Sequence, residues 1–330
     1  MKSKNEESQN NGFSLFSKWT IRRISFIGIL IAISVVFVII SVSIFPIASL
    51  PSIKISFIGL PIKISGFIFG PVVGGLVGLI SDVISFLFVP SFYNPLYTLA
   101  TMIDGIVAGI IGWIFLRLFK FYFSGEFRDK YFQNKMSFLY NKYLDLKITN
   151  LEDQKVRKLE DKMILLNEKR KKIRLSSSSS TLLNVNLIVA ISILLIIIMF
   201  IFWLIGKQTS QYILDQGIVK NRWALVAIMC SGYAAMLVFL VLTRLFMNHK
   251  KFLVIVPIVI FSALIELINV PLLSLADLKS LSQGENKSIF VFIIQHTFMS
   301  PVKIWFNMFV IFFTYNIIAS LIYKNNDICY

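Results

Sequence analysis

Residues 52–113 decide the fold of this chain, and they read SIKISFIGLPIKISGFIFGPVVGGLVGLISDVISFLFVPSFYNPLYTLATMIDGIVAGIIGW. The stretch is apolar and rich in glycine, and prolines divide it into segments. It carries only four charged side chains, Lys54, Lys63, Asp82 and Asp104. Small residues in series let helices pack closely in lipid, and charged groups inside apolar segments face a cavity or each other. The stretch therefore predicts a compact membrane core that contains a polar pocket.

The composition of the whole chain also places it in a membrane. Its 330 residues are 56% hydrophobic, and the mean hydropathy is +0.76. Several apolar runs of about 20 residues exclude a soluble domain and predict an all-α polytopic membrane protein. The net charge of +16 is typical of cytoplasmic loops, which collect Lys and Arg, so we expect the lipid bilayer and no nucleic acid as a partner.

No motif in the sequence indicates catalysis. The chain has no P-loop, no GxSxG motif and no HExxH motif, and its two histidines and two cysteines do not form a cluster with metal-ligand spacing. We therefore expect a protein that is not an enzyme and that holds neither a cofactor nor a metal.

Eight apolar runs are long enough to be considered as membrane spans. Basic residues precede the first run and mark later turns, which predicts a multi-pass protein of the plasma membrane with both termini in the cytoplasm. Residues 46–60 and 274–300 are then loops on the outer side. The runs are about 24–45, 55–69, 72–89, 96–118, 185–205, 223–246, 252–273 and 302–322.

A charged segment separates the fourth run from the fifth. Residues 117–174 contain sixteen Lys or Arg and eight Asp or Glu, so the segment is basic and is expected in the cytoplasm. Apolar residues recur in it at a spacing of three or four, with a break at Arg170, which predicts an amphipathic helix or a short helical hairpin. Either a solvated charged surface or a basic surface that faces anionic lipid fits this composition. The apolar positions are Val156, Leu159, Met163, Leu166 and Ile173.

Several ionisable residues within the apolar runs fall in one depth zone. Counted from the nearest turns at about 1.5 Å per residue, they lie between the middle of the membrane and its outer side. One hypothesis is a polar pocket that opens outward. The alternative is one or two structural salt bridges, such as Lys63 with Asp82, that hold helices together. The residues are Lys63, Asp82, Asp104, Glu266 and Lys303.

One face of the first run consists of small residues, Ser25, Gly28 and Ala32. This spacing allows close approach of a second helix. That helix is either another helix of this chain or a helix of a partner protein, and the sequence does not decide between them.

Four segments resemble the substrate-binding S component of energy-coupling factor (ECF) vitamin transporters, and they are most similar to the folate-type members. They are Arg22 and Arg23 followed by GILIAISVVF, the segment SIKISFIGLPIKISGFIFGPVVGGLVGLISDVISFL, the segment LYTLATMIDGIVAGIIGW, and HTFMSPVKIWFN before the last run. The resemblance covers about residues 22–118 and 252–323.

The resemblance implies a core of six helices, into which this chain inserts further elements. The implied parts are a cytoplasmic N-terminal segment at 1–23, S-component helices 1–4 at 24–119, a basic cytoplasmic helical insert with a serine linker at 120–183, an extra transmembrane hairpin at 184–250, and S-component helices 5–6 at 251–330.

The resemblance also implies a function. An S component binds a vitamin from outside with high affinity and then associates with a transmembrane T component and two ATPases of an ABC importer. Here the vitamin would be folate or a folate-like compound, with riboflavin, nicotinate or pantothenate as alternatives. Residues 46–60 would form the gate over the site, and Ser25, Gly28 and Ala32 would contact the T component.

The same resemblance assigns residues to the vitamin. Basic groups would meet ligand carboxylates and aromatic rings would stack on the ligand, although anchoring at the lipid interface explains the aromatic residues equally well. The implied binding residues are Lys63, Asp82, Tyr93, Asn94, Tyr97, Asp104, His296, Lys303 and Asn307.

Two other functions remain open on the sequence. One is an independent transporter driven by an ion gradient, with Asp82, Asp104 and Glu266 as proton or ion relays. The other is a membrane scaffold that acts through the basic insert.

Overall fold

The computed structural model describes residues 21–44, 51–88, 94–148, 153–175, 179–215, 221–281 and 289–323, and the regular structure within these ranges is helical. This confirms the prediction of an all-α polytopic protein. The helices are α1 (Ile21–Ile44), α2 (Pro51–Phe69), α3 (Pro71–Phe88), α4 (Pro95–Trp113), α5 (Lys120–Phe123), α6 (Glu126–Ile148), α7 (Asp153–Leu175), α8 (Ser179–Trp203), α9 (Gln211–Asp215), α10 (Arg222–Phe246), α11 (His249–Leu281) and α12 (Ile289–Tyr323), with π-helical turns at Ile114–Phe119 and Leu204–Gln208.

Six stretches of the described chain are long and apolar enough to cross a membrane. They comprise α3, the continuous helical stretch from α4 to α5, α8, α10, α11 and α12. Shorter apolar segments at Ile24–Ile40 and Gly59–Phe69 belong to α1 and α2. Together these eight stretches correspond to the eight apolar runs in the sequence.

Glycines bring α2, α3 and α4 into backbone contact. A Cβ atom on Gly105 of α4 would overlap the carbonyl oxygen of Gly74 on α3, and a Cβ on Gly66 of α2 would overlap the carbonyl oxygen of Gly105. A Cβ on Gly109 would overlap the backbone at Pro71. The three helices are therefore packed as closely as their main chains allow, which is the arrangement that the small residues predicted.

The remaining long helices surround this centre. α11 packs against α4 and α12, α12 also packs against α2, and α1 lies against α2 and α3. α8 packs against α10 and α11, and α10 packs against α11 and α12. The division into a six-helix core and an extra hairpin stays a prediction.

Two predicted loops are shorter in the structure than the sequence indicated. α11 continues to Leu281 and α12 begins at Ile289, so most of the segment 274–300 is helical. Polar residues after Leu273 suggested a loop, but Ser274, Ala276 and Asp277 are buried against other helices. Similarly, α2 begins at Pro51, so residues 51–60 of the predicted gate loop are helical. Residues 46–50 lie outside the described ranges.

The basic insert is a helical hairpin, as one of the two sequence interpretations predicted. α6 and α7 pack against each other, and Leu159 and Leu166 are buried between them. Arg170, which interrupts the apolar spacing of α7, places its Nε 2.7 Å from Oδ1 of Asp129 on α6. The residue that breaks the apolar pattern therefore forms an ion pair that joins the two helices.

Candidate functional site

The first buried ion pair joins α2 to α4. Nζ of Lys63 lies 3.3 Å from Oδ2 of Asp104, and the two side chains are 4% and 2% exposed. Nδ2 of Asn269 on α11 donates to Oδ1 of the same aspartate at 2.6 Å. The pairing of Lys63 with Asp82 that the sequence suggested is wrong, because Asp82 instead accepts a hydrogen bond from Thr98 Oγ1 at 2.6 Å.

The second buried ion pair joins α11 to α12. Nζ of Lys303 lies 3.1 Å from Oε1 of Glu266. The hydroxyl of Ser300 donates to the same oxygen at 2.6 Å. Ser300 and Lys303 are one turn apart on α12, so both reach a single carboxylate on the facing helix.

A third polar contact also joins α11 to α12 and includes a residue that the sequence analysis missed. Oδ2 of Asp277 lies 2.7 Å from Nε2 of His296, and the hydroxyl of Tyr97 on α4 donates to Oδ1 at 2.5 Å. Because an ionised carboxylate only accepts hydrogen bonds, the histidine contributes an N–H here. Asp277 continues the helical spacing of Glu266 and Asn269 along α11, and that spacing was the available signal.

Asn94 holds the start of α4 against the end of α11. Its Oδ1 accepts from the backbone N–H of Leu96 and so caps α4 at 3.1 Å. Its Nδ2 donates to the carbonyl oxygen of Ala276 at 3.0 Å and to the hydroxyl of Ser280 at 3.1 Å. The side-chain groups of Asn94 are thus used within the protein.

Four buried polar atoms of the cluster have no hydrogen-bond partner within the described part of the chain. They belong to α11 and α12. Asn269 and His296 take part in the polar contacts through their other side-chain atoms, Thr297 follows His296, and Asn307 is one turn after Lys303. Buried groups of this kind are normally satisfied, so a bound molecule or water is the expected partner. The atoms are Oδ1 of Asn269, Nδ1 of His296, Oγ1 of Thr297 and Oδ1 of Asn307.

Most of the predicted binding residues therefore come together around α11 and α12. Tyr93 lies outside the described residues. Asp82 and Thr98 form a separate contact between α3 and α4. The described residues hold no group of three or more His, Cys, Asp and Glu side chains that would suit a metal ion.

The small face of α1 is open. Ser25, Gly28 and Ala32 are exposed, and a Cβ atom on Gly28 would meet nothing within 4 Å. The sequence left open whether this face packs against another helix of this chain or against a partner protein. Among the described helices, none covers this face. Contact with a partner protein remains a prediction.

A comparison with known families agrees with the architecture. The model of the family described as "ECF-type riboflavin transporter, S component" matches residues 18–201, which is more than half of the chain. The chain belongs to this family. Its members are transport subunits, so this chain is a multi-pass membrane protein of a vitamin transporter family and not a member of an enzyme family.

One curated relative gives a second, narrower similarity. The chain is 36% identical over 61 residues to the folate transporter FolT of Clostridium novyi (strain NT). The matched segment is 18% of this chain, and it spans about a third (36%) of the length of that relative. No solved structure matches the chain.

Proposed function

We propose that this chain is the membrane-embedded, high-affinity vitamin-binding subunit of an ECF-type ABC importer, and that its first candidate ligand is folate or a folate-like vitamin. The observation that carries the proposal is the polar cluster on α2, α4, α11 and α12, with its unpartnered atoms inside an apolar bundle. The family match and the similarity to a folate transporter support it.

The unpartnered atoms suit the edge of a nitrogen heterocycle. Oδ1 of Asn307 and Oδ1 of Asn269 accept hydrogen bonds. A pterin or flavin ring presents donors and acceptors side by side along one edge. Such a ring would satisfy several buried groups of the protein at once, which is a source of both affinity and specificity.

Riboflavin is the second candidate, and a specific observation favours it. Each of the basic residues predicted to meet ligand carboxylates, Lys63, His296 and Lys303, already faces a carboxylate of the protein. A vitamin without carboxylates leaves these three pairs intact, whereas a folate would have to compete with them or use other cations. The description of the matching family also names riboflavin.

Transport itself requires partners in this proposal. The chain contains no P-loop, so ATP hydrolysis belongs to two separate ATPase subunits, and a T component connects them to the exposed face of Ser25, Gly28 and Ala32. In this proposal the protein lies in the plasma membrane with both termini in the cytoplasm. An ion-coupled transporter would instead work alone and follow an ion gradient.

The test begins with the purified full chain in detergent. Mass spectrometry of co-purified small molecules, followed by calorimetry with folate, riboflavin, nicotinate, pantothenate and thiamine, is expected to show one vitamin bound with nanomolar affinity. Replacing Asn307 by leucine is expected to weaken that binding by at least tenfold, because its buried amide would meet the ligand.

Asn316→Leu is the matched control, because the Asn316 amide donates to the carbonyl oxygen of Phe312 in its own helix. Equal losses in the two variants would remove Asn307 from the site. Binding of none of the five vitamins, or uptake by the chain alone along an ion gradient, would refute the proposed function.

A further inference from the structure

A cavity lies beside the polar cluster, between the extra hairpin and the core, and Thr297 and Ser300 border both. It has a volume of about 360 Å³ and is enclosed by α8, α9 and α10 on one side and by α11 and α12 on the other. The walls are aliphatic and aromatic, with Leu225 and Met229 of α10 facing Leu267 of α11 and Ile294 of α12. A cavity of this size and lining is in the range of pockets that bind small apolar molecules.

One polar group of the wall is unsatisfied. Thr297 lines the cavity, its side chain is 1% exposed, and its Oγ1 has no hydrogen-bond partner among the residues that the structure describes. Ser300, which also lines the cavity, already donates to Glu266. Thr209, Tyr233 and Ser300 also line the cavity, and Thr297 adds a buried hydroxyl without a partner among the described residues. An occupant with an acceptor would satisfy that hydroxyl.

The rim of the cavity faces the bilayer. Phe200 on α8 and Leu204 just after it line the cavity and are 45% and 39% exposed. They belong to the most apolar of the spans within the described residues, which has a mean hydropathy of 3.3. The molecules that reach this flank are lipids, and water does not fill an apolar cavity of this kind.

We propose that this cavity binds one acyl chain of a membrane phospholipid, with the ester carbonyl of the lipid accepting a hydrogen bond from Thr297. The cavity extends along α12 from Phe290 to Ser300, a distance of about 15 Å at 1.5 Å per residue. The hairpin of α8 and α10 thus builds a lipid site beside the core. The proposed hydrogen bond uses Thr297, which is not among the residues assigned to the vitamin.

Native mass spectrometry of the delipidated full chain tests the proposal. The probe is dioleoyl phosphatidylcholine, because its zwitterionic headgroup limits attraction to the basic insert. The wild type is expected to retain one lipid with an affinity at least tenfold above that of any further lipid. Leu225→Trp fills the cavity and is expected to abolish binding of this first lipid. The control Met199→Trp is expected to preserve it, because Met199 is 70% exposed and does not line the cavity.

A second variant covers the case in which Leu225→Trp fails to fold, which thermal unfolding will show. Thr297→Val keeps the shape of the side chain and removes the hydroxyl, and it is expected to weaken the first lipid three- to tenfold. The proposal is overturned if a folded Leu225→Trp protein, or Thr297→Val, binds the first lipid as the wild type does. It is also overturned if the wild type shows no distinct first class, or if free oleic acid binds there more tightly than the phospholipid.

Discussion

The ion pair between Lys63 and Asp104 offers the sharpest test of how the bundle is held together. Both side chains are at least 96% buried, and Nζ and Oδ2 are 3.3 Å apart. At an effective dielectric constant of about 20, two unit charges at this distance attract each other by about 5 kcal/mol. Removing one partner leaves the other charge buried and alone, which costs about 3–5 kcal/mol in comparable sites.

We therefore expect Lys63→Met and Asp104→Asn each to lower the free energy of unfolding by about 3–5 kcal/mol. The double variant removes both charges, and the asparagine retains an acceptor for the Nδ2 of Asn269. We expect the double variant to lose only about 1–2 kcal/mol of its free energy of unfolding, because no charge remains uncompensated.

The measurement is equilibrium unfolding in mixed detergent micelles, with Lys279→Met as a control for loss of a positive charge at an exposed site. The control is expected to change the stability by less than about 0.5 kcal/mol. If the losses of the two single variants simply add in the double variant, the two residues do not interact and the reasoning fails.

Three further predictions concern packing, association and the insert. Gly105→Ala forces a Cβ into the backbone of Gly74 and is expected to lower the free energy of unfolding by about 3 kcal/mol. The control Gly206→Ala, whose Cβ would meet nothing within 4 Å, is expected to change the free energy of unfolding by under about 0.5 kcal/mol. Equal effects of the two variants would contradict the close packing of α3 and α4. Gly28→Trp is expected to leave vitamin binding unchanged and to reduce co-purification with a T component at least tenfold, and unchanged co-purification would exclude this face as the interface. Arg170→Ala is expected to speed amide exchange in α6 and α7 by about fivefold, since the ion pair is partly exposed and worth about 1 kcal/mol; equal exchange in wild type and variant would show that the pair does not join the helices.

The sequence predicted the elements of the fold because bilayer thickness and main-chain packing act locally. A membrane span needs an apolar run of sufficient length, and close contact between helices needs small side chains, as at Gly74 and Gly105. Both requirements are visible in a single sequence. The helical hairpin at the insert was predicted for the same reason, since its apolar spacing is local.

The partners of the buried charges were harder to predict. Counting residues from a turn gives the depth of a side chain in the membrane but not the direction in which it points around the helix axis. Lys63 and Asp82 were therefore placed at similar depths, although Lys63 faces Asp104 and Asp82 faces Thr98. The choice between two partners of equal depth depends on how the helices are rotated, which only the assembled bundle defines.

Asp277 was missed for a different reason. The apolar run of α11 appeared to end at Leu273, because a membrane span was expected to be uniformly apolar. Asp277 is compatible with a buried helix since His296 and Tyr97 supply hydrogen bonds to its carboxylate. These partners are distant in sequence, so the pattern around Asp277 alone resembles that of a loop.

The pairing of Lys63 with Asp104 has a consequence for the synthesis and membrane insertion of the protein. The lysine leaves the ribosome about 40 residues before its carboxylate, and at synthesis rates of about 5–20 residues per second this delay lasts about 2–8 s. Asn269, which completes the contact, follows 165 residues after Asp104. Until Asp104 has been made, the ammonium group of Lys63 has to stay near the headgroups or the insertion machinery, because the hydrocarbon core of the membrane offers it no counter-ion. The nascent α2 therefore reaches its final depth only after α4 has entered the bilayer, and a chain truncated after α3 is expected to hold α2 at the membrane surface.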